Sequence, residues 1–349
     1  MTSVADYPRR ARLSHSPVIE AATLRDLELP VMPTEAHFRR DHFAAPELDH
    51  DAWQLAVVGP AGRELLAVSL ADLEQLPQMS LAVVLECAGH RRAEFDPGVR
   101  GVQWQVGALS EAIWTGVRLA DLLEFVNLGE ATSVVLEGAD RGIVDGRPEE
   151  ISFARAIPLE KALDDTLLAW EMNGAPLPAA HGAPLRAIVP GWYATDSVKW
   201  LNAIRLLAGD FDGHFEASDY RFPSGTRSQS RRMTALSISS LLTSHADHSQ
   251  VESGEVELRG IAWGSKASVA DVEVSFDGLE WHHARLDEPA SPYSRVFWQL
   301  TWAAEPGTHT IRVRATDWNG ETQPETPIWN ERGYANASIQ RVHLHVHAR

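Results

Sequence analysis

The stretch Leu81 to Arg92, LAVVLECAGHRR, delivers the chain's only cysteine, Cys87, from an apolar run of strand length into a glycine-bearing turn. The thiolate is the nucleophilic and metal-binding form of cysteine, and neighbouring cations favour it. A lone cysteine at a strand end is commonly a buried structural thiol, but such a thiol has no need of Arg91 and Arg92 beside it. One cysteine excludes an internal disulfide and any multi-cysteine zinc or iron–sulfur site. A Cys87–His90 dyad would need geometry that so short a turn rarely supplies. The chain has no GxSxG, no phosphate loop and no GxGxxG after a strand.

What recurs instead is cationic and aromatic residues in loops: Arg39 and His42, Arg91 and Arg92, His181 and Arg186, Lys199, and Arg332 in the stretch WNERG. Guanidinium forks suit carboxylate, phosphate and sulfur oxyanions. A soft thiolate near anion-gripping loops points to a thiophilic metal carried by a phosphorylated cofactor. The net charge of −17 argues against nucleic acid as a partner, so an anion site here requires arginines gathered in one place.

These loops need elements to hold them. With 349 residues, of which 44% are hydrophobic, the chain is long enough for two domains with real cores. No apolar run approaches a membrane span. Arg9-Arg10 resembles a twin-arginine export pair, but no apolar region follows. The expectation is a cytoplasmic chain, or a periplasmic one if a leader was removed. Residues 1 to about 30 read as a polar, irregular wrapping arm, and residues 33–43 as an ordered basic loop. Strands are expected at Trp53 to Val58, SVVLEG and AIVP, and helices after a Ser69–Asp72 capping box, at Arg118 to Asn127 and at Leu159 to Leu163. Asn173-Gly174 reads as a hairpin turn. Short strands and helices without a regular βαβ repeat predict an α+β fold, with an irregular mixed α/β domain over residues 1–230. From Glu255 about six closely spaced strands predict a β-sandwich, giving a second domain over 231–349. Val272, Val274 and Phe276 alternate before a turn at Asp277-Gly278. Ile311, Val313 and Ala315 alternate likewise, as do Val342, Leu344 and Val346. The last alternation throws His343, His345 and His347 onto the other face, which is either a metal-binding face or a solvated one.

Taken together the motifs resemble the sulfite oxidase family of molybdopterin enzymes, from Pro33 to the last strand. The family's CAGNRR reads Cys87-Ala88-Gly89-His90-Arg91-Arg92 here, and GxxWxxGAxxNAxWxGVRL reads Gly101 to Leu119. DHGxPxR reads Ala180 to Arg186, VKWL is Val198 to Leu201, and WNxRG is Trp329 to Gly333. The resemblance implies that Cys87 ligates molybdenum. It also implies that Phe38, Arg39, His42, His181, Arg186, Ser197 and Lys199 hold the pterin and its phosphate. Arg39, Arg92, Trp104, Tyr220 and Arg332, with Asp219 beside Tyr220, would form the substrate pocket. The implied reaction is oxidation of sulfite to sulfate by oxo transfer, with nitrate or sulfoxide reduction as the alternative on the same fold. A non-enzymatic binding protein on a decayed scaffold would not keep Cys87, Arg92, Tyr220 and Arg332 together. The sandwich would be the family's immunoglobulin-like dimerisation domain, making a homodimer.

The sequence departs from the family at His90, Asp41 and Glu111, each where the family has Asn, and at Ala180, where it has Asp. His90 and Glu111 are expected to put titratable groups near the metal loop. With no cytochrome b5-like domain and no haem attachment motif, no haem is expected, and electrons would leave to oxygen or to a separate acceptor.

Overall fold

The computed structural model describes residues 11–222 and 230–349; Arg9-Arg10 lies outside them. Among the described residues, the segment read as an irregular arm forms regular elements. Strands Ala11–His15 and Val18–Ala21 form an antiparallel pair, joined by Arg39–Arg40 as a third strand. Helix Leu24–Leu27 follows with a full Thr23–Asp26 capping box. Such a cap contributes on the order of 1 kcal/mol, and Ile19, Ala22 and Leu27 are buried beneath these elements. Polar composition hid a few well-spaced apolar anchors.

Two five-stranded sheets make the frame of the first domain. In one, Gln78–Glu86 pairs with Leu109–Arg118, which pairs with Leu167–Met172. The latter also takes Ala175–Pro176 and Arg186–Ile188 as partners. The Asn173-Gly174 turn is as read, both residues having positive φ, as a tight antiparallel hairpin requires. In the other sheet the order is Glu64–Val68, Leu55–Val58, Leu201–Leu207, Ser133–Gly142, Ile151–Pro158. The helices are short: Leu70–Leu73 behind its Ser69 capping box, Leu119–Leu123 and Leu159–Asp164.

Strands Arg221–Phe222 and Arg231–Arg232 pair across the position expected for the domain boundary. Beyond them a four-stranded and a five-stranded sheet face each other. Their shared core holds Leu258, Val272, Val274, Ile311, Val313, Ala315, Val342 and Leu344, all at most 3% exposed. Each such aliphatic side chain gains about 1.5–3 kcal/mol on burial. The alternating positions therefore fix which face of each strand looks inward.

The sandwich is bound tightly to the cysteine strand. Trp263 Nε1 donates to Glu86 at 2.8 Å, Val84 N–H to the Tyr293 carbonyl at 2.9 Å, and Ala335 N–H to the Ala88 carbonyl at 2.8 Å. Arg91 donates to the Ser338 carbonyl at 2.7 Å, and Asn336 donates back to the Arg91 carbonyl at 3.0 Å. The turn carrying Cys87 is thus clamped from behind by the second domain.

Candidate active site

The Gln78–Glu86 strand stays in register with Leu109–Arg118 up to Glu86–Leu109, and Cys87 N–H then donates to Ala108. The turn closes through His90 N–H to Cys87 and Arg92 N–H to Gly89. Arg91 sits at φ 56, a costly backbone for a non-glycine residue. It is held there by its bonds to Glu94 and to Ser338. A Cβ at Gly89 would stand 2.5 Å from the Arg92 guanidinium, so glycine makes the room in which Arg92 lies.

Two hollows meet at Cys87. The inner one is walled by the first domain, and Phe38, Arg39, His181, Arg186, Ser197 and Lys199 all face it. The outer cleft, of ≈ 1630 Å³, is lined by Arg92, Arg100, Trp104, Asp219, Arg332 and Tyr334, drawing on both domains. Arg40, His42, Cys87 and Tyr220 border both hollows. The residues expected to bind the cofactor are therefore gathered on one side of the thiol. Those expected at the substrate lie on the other, with one correction. Arg39 faces the inner hollow, where its Nε donates to Asp41 at 2.8 Å, while Arg40 reaches the outer one. Successive residues of an extended strand point to opposite sides, so Arg39 turns inward while Arg40, at the border, reaches the outer cleft as well.

The paired arginines after Cys87 divide their work in the same way. Arg91 is buried on the far side as a tie to the second domain. Arg92 faces the cleft, with Nε donating to the Arg332 carbonyl at 3.0 Å and Nη1 to Val102 at 3.0 Å. Burial raises the Cys87 thiol above its ordinary value, and the Gly89 N–H, Arg92 and Arg40 only partly oppose it. Neighbouring cations alone do not make this thiol a thiolate. A metal ion bound there would, by displacing the proton.

Glu111 is not near the metal loop. It accepts from the Arg295 N–H at 2.7 Å and lines neither hollow. His90 is 1% exposed with its ring edge on Trp263, and both ring nitrogens lack hydrogen-bond partners. Burial, reinforced by Arg91, pushes its pKa down to about 3. It packs as a neutral ring.

The inner hollow suits a molybdopterin phosphate and a soft metal. Arg186 Nε and Thr195 Oγ1 are buried without partners beside four cationic side chains, and the hollow ends at a thiol. Arginine forks and a lysine are the usual phosphate grip, and a thiolate is the usual ligand for a thiophilic metal. Burial lowers Arg186 to about 9 and Lys199 to about 8, Asp41 opposing both shifts. An incoming anion would reverse both. At Gly182, φ +114 and a backbone approach to Lys199 leave no room for a Cβ, which would meet Lys199 Cα at 2.9 Å.

Several site residues escaped sequence reading. Asp140 lines the inner hollow, and its pKa is raised to about 7 by burial against the pull of Lys199. Tyr334 stacks on Tyr220 with ring centroids 5.5 Å apart, and Arg92 lies 5.2 Å over its ring. Arg155, fully buried, pairs with Asp196 at 3.0 Å and Glu216 at 3.1 Å, and Arg232 binds the same two carboxylates. Its guanidinium lies 5.3 Å from the Tyr220 ring centre. Tyr334 directly follows WNERG and could have been suspected. Asp140 and Arg155 lie on paired strands with no local signature.

Comparison with known proteins bears on the whole chain. The profile of the oxidoreductase molybdopterin binding domain matches residues 42–215, and that of the Mo-co oxidoreductase dimerisation domain matches 230–347. Human mitochondrial sulfite oxidase is 36% identical over 90% of this chain, which spans 62% of that protein's length. Arabidopsis thaliana sulfite oxidase is 33% identical, covering 90% of this chain and 88% of its own. The sulfane dehydrogenase SoxCD from Paracoccus pantotrophus superposes with a TM-score of 0.83 at 26% identity, over 98% of this chain and 92% of the other. With both domains matched and the thiol standing between a cation-lined hollow and an arginine-lined cleft, the chain belongs to the sulfite oxidase family of molybdopterin-binding oxidoreductases.

Proposed function

We propose that the chain oxidises a small sulfur oxyanion, sulfite, to sulfate. The observation that carries this reading is the arrangement on the two sides of Cys87. Phosphate-gripping cations lie inward, while Arg40, Arg92 and Arg332 border the outward cleft with Tyr220 at the boundary. The names of the relatives, sulfite oxidases and a sulfane dehydrogenase, support sulfur chemistry over the nitrate reduction named for a barley relative at 31% identity. The bound molybdenum cofactor would supply the oxo transfer and accept the electrons.

In this reading the chain's own share is placement and charge. The arginines attract and orient the anion as water leaves the cleft. Burial holds the Tyr220 phenol well above its ordinary pKa, so it remains protonated. His42 is kept neutral, chiefly by its own burial and then by Arg40, Lys199 and Arg155. Its Nε2 is hydrogen-bonded to the Tyr220 hydroxyl. With the imidazole proton on Nε2, His42 donates to Tyr220, and the phenolic O–H is free to donate to the substrate.

Purified chain should carry close to one molybdenum, and sulfite should drive steady-state reduction of ferricyanide, cytochrome c or oxygen. Loaded protein inert towards sulfite with all three acceptors would sink the reading. The match of residues 230–347 to the dimerisation-domain profile supports a homodimer, for which light scattering should give about twice the chain mass of 38.5 kDa.

A further inference from the structure

The sandwich carries a cluster of side chains that the oxidation does not use. Strand Gln340–His347 buries Val342, Leu344 and Val346 and turns His343 and His345 the other way. Strand Ser249–Glu252 runs parallel beside it with Ser249 opposite Leu344, and His248 N–H donates to the His343 carbonyl at 2.7 Å. That register brings the turn residues Asp247 and His248 onto the same patch. The His248 ring lies nearly parallel to both neighbours, with centroids 5.2 Å from His343 and 5.6 Å from His345. Asp247 Oδ1 accepts the His343 N–H at 2.7 Å and faces its Nδ1 at 2.9 Å, while Oδ2 stands 3.5 Å from His248 Nε2. One donor atom each from Asp247, His248 and His343 lies within 4.8 Å of the others.

We propose that Asp247, His248 and His343 bind a divalent transition-metal ion such as Zn(II), Ni(II) or Cu(II), with His345 in reach as a further nitrogen donor. Zinc bonds to nitrogen and oxygen are about 2.0–2.2 Å, which sets tetrahedral ligand atoms roughly 3.3–3.5 Å apart. The 3.5 Å between Asp247 Oδ2 and His248 Nε2 meets that spacing without movement. Imidazole with one carboxylate selects these ions over magnesium or calcium, which prefer all-oxygen shells. The second acidic–histidine group, Asp271, Glu273 and His283, is weaker because Arg314 already holds Glu273 at 2.7 Å. The site is on the surface, separate from both hollows, and does not depend on the oxidase reading.

The test uses the full-length, molybdenum-loaded chain, stripped of adventitious ions with EDTA and titrated with Zn(II) against a chromophoric chelator. One equivalent should bind. His343→Gln and His248→Gln should each weaken it by about 10- to 100-fold or more, the range that changes at supporting residues already produce. His347→Gln, one turn of the alternation further along the strand, should leave it unchanged. Cu(II) added to the stripped chain should give an electron paramagnetic resonance spectrum with nitrogen splitting that His343→Gln abolishes. No saturable zinc binding, or equal affinity in wild type and both variants, would overturn the assignment. A loss with His347→Gln matching that with His343→Gln would replace the site by diffuse chelation along the strand, and overturn it too.

Discussion

Inward of Cys87 the hollow is walled by one domain, and it keeps buried donors without partners: Arg186 Nε and Thr195 Oγ1 have none, while Lys199 pairs with Asp41 and lies 4.1 Å over the Trp200 ring. Outward of it the cleft is shared by two domains, and two of its arginines are already occupied. Arg92 is bonded to two carbonyls, and Arg332 lies 3.1 Å from Asp219 and donates to the Ser218 carbonyl at 3.3 Å. Each side is built for what it holds. A large resident group can repay buried, unsatisfied donors once and permanently, whereas a small substrate that comes and goes needs arginines held in place between visits. Buried polar groups without partners are costly, so the inner side should be the less stable of the two when empty.

The sharpest way to break this contrast is at the thiol between the hollows. Cys87→Ser should lower molybdenum affinity and turnover by on the order of 100-fold or more, since even changes behind a ligand reach that size. Elemental analysis with sulfite kinetics checks it, and normal activity in the variant would remove Cys87 as the ligand.

Asp140→Asn probes the inner side. Burial raises Asp140 to about 7 from an ordinary 3.8, so the folded chain holds a proton there that the unfolded chain releases. Its stability contribution is complete below about pH 4 and is lost as pH rises through about 7. The asparagine variant of the cofactor-free chain should therefore gain about 2–4 kcal/mol at alkaline pH and little in acid. Urea unfolding at about pH 5 and 8 measures the difference; equal gains at both would show that charge is not the cause.

Arg332→Met tests the outer side. Its side chain is 48% exposed, which moderates its pull, and KM for sulfite should rise about tenfold, or 1.4 kcal/mol. Turnover should change less, and molybdenum content not at all. Unchanged kinetics in a loaded variant would make Arg332 a tie to Asp219 and nothing more.

The smallest effect is expected behind the thiol, on neither side. His90→Asn replaces a buried neutral ring with no hydrogen bonds, and stability should move by about 1 kcal/mol or less. The pH profile of sulfite oxidation should keep its shape between about pH 5 and 9. A displaced limb in that range would show that His90 does titrate in step with the site.

Local chemistry was legible in the sequence. Alternation fixed the sandwich strands because one face must meet a dry core, and that same alternation exposed the histidines of the proposed metal site. Turn and cap residues such as Asn173-Gly174 and Ser69–Asp72 act within a few residues, so their geometry follows from their identity. The thiol's place in a turn of cations was equally plain, and the spacing of its companions carried the family. What the sequence left open was direction. Arg39 from Arg40 and Arg91 from Arg92 differ only in which way a strand or a left-handed residue turns them, and that is set by partners as distant as Ser338. Glu111 faces Arg295 and His90 faces Trp263 because the second domain docks on the cysteine strand. The outward cleft beside Cys87 therefore exists only once the two domains have packed, and burial, with the protonation of Cys87, Asp140 and His90 that follows from it, belongs to the assembled fold and to no single stretch of chain.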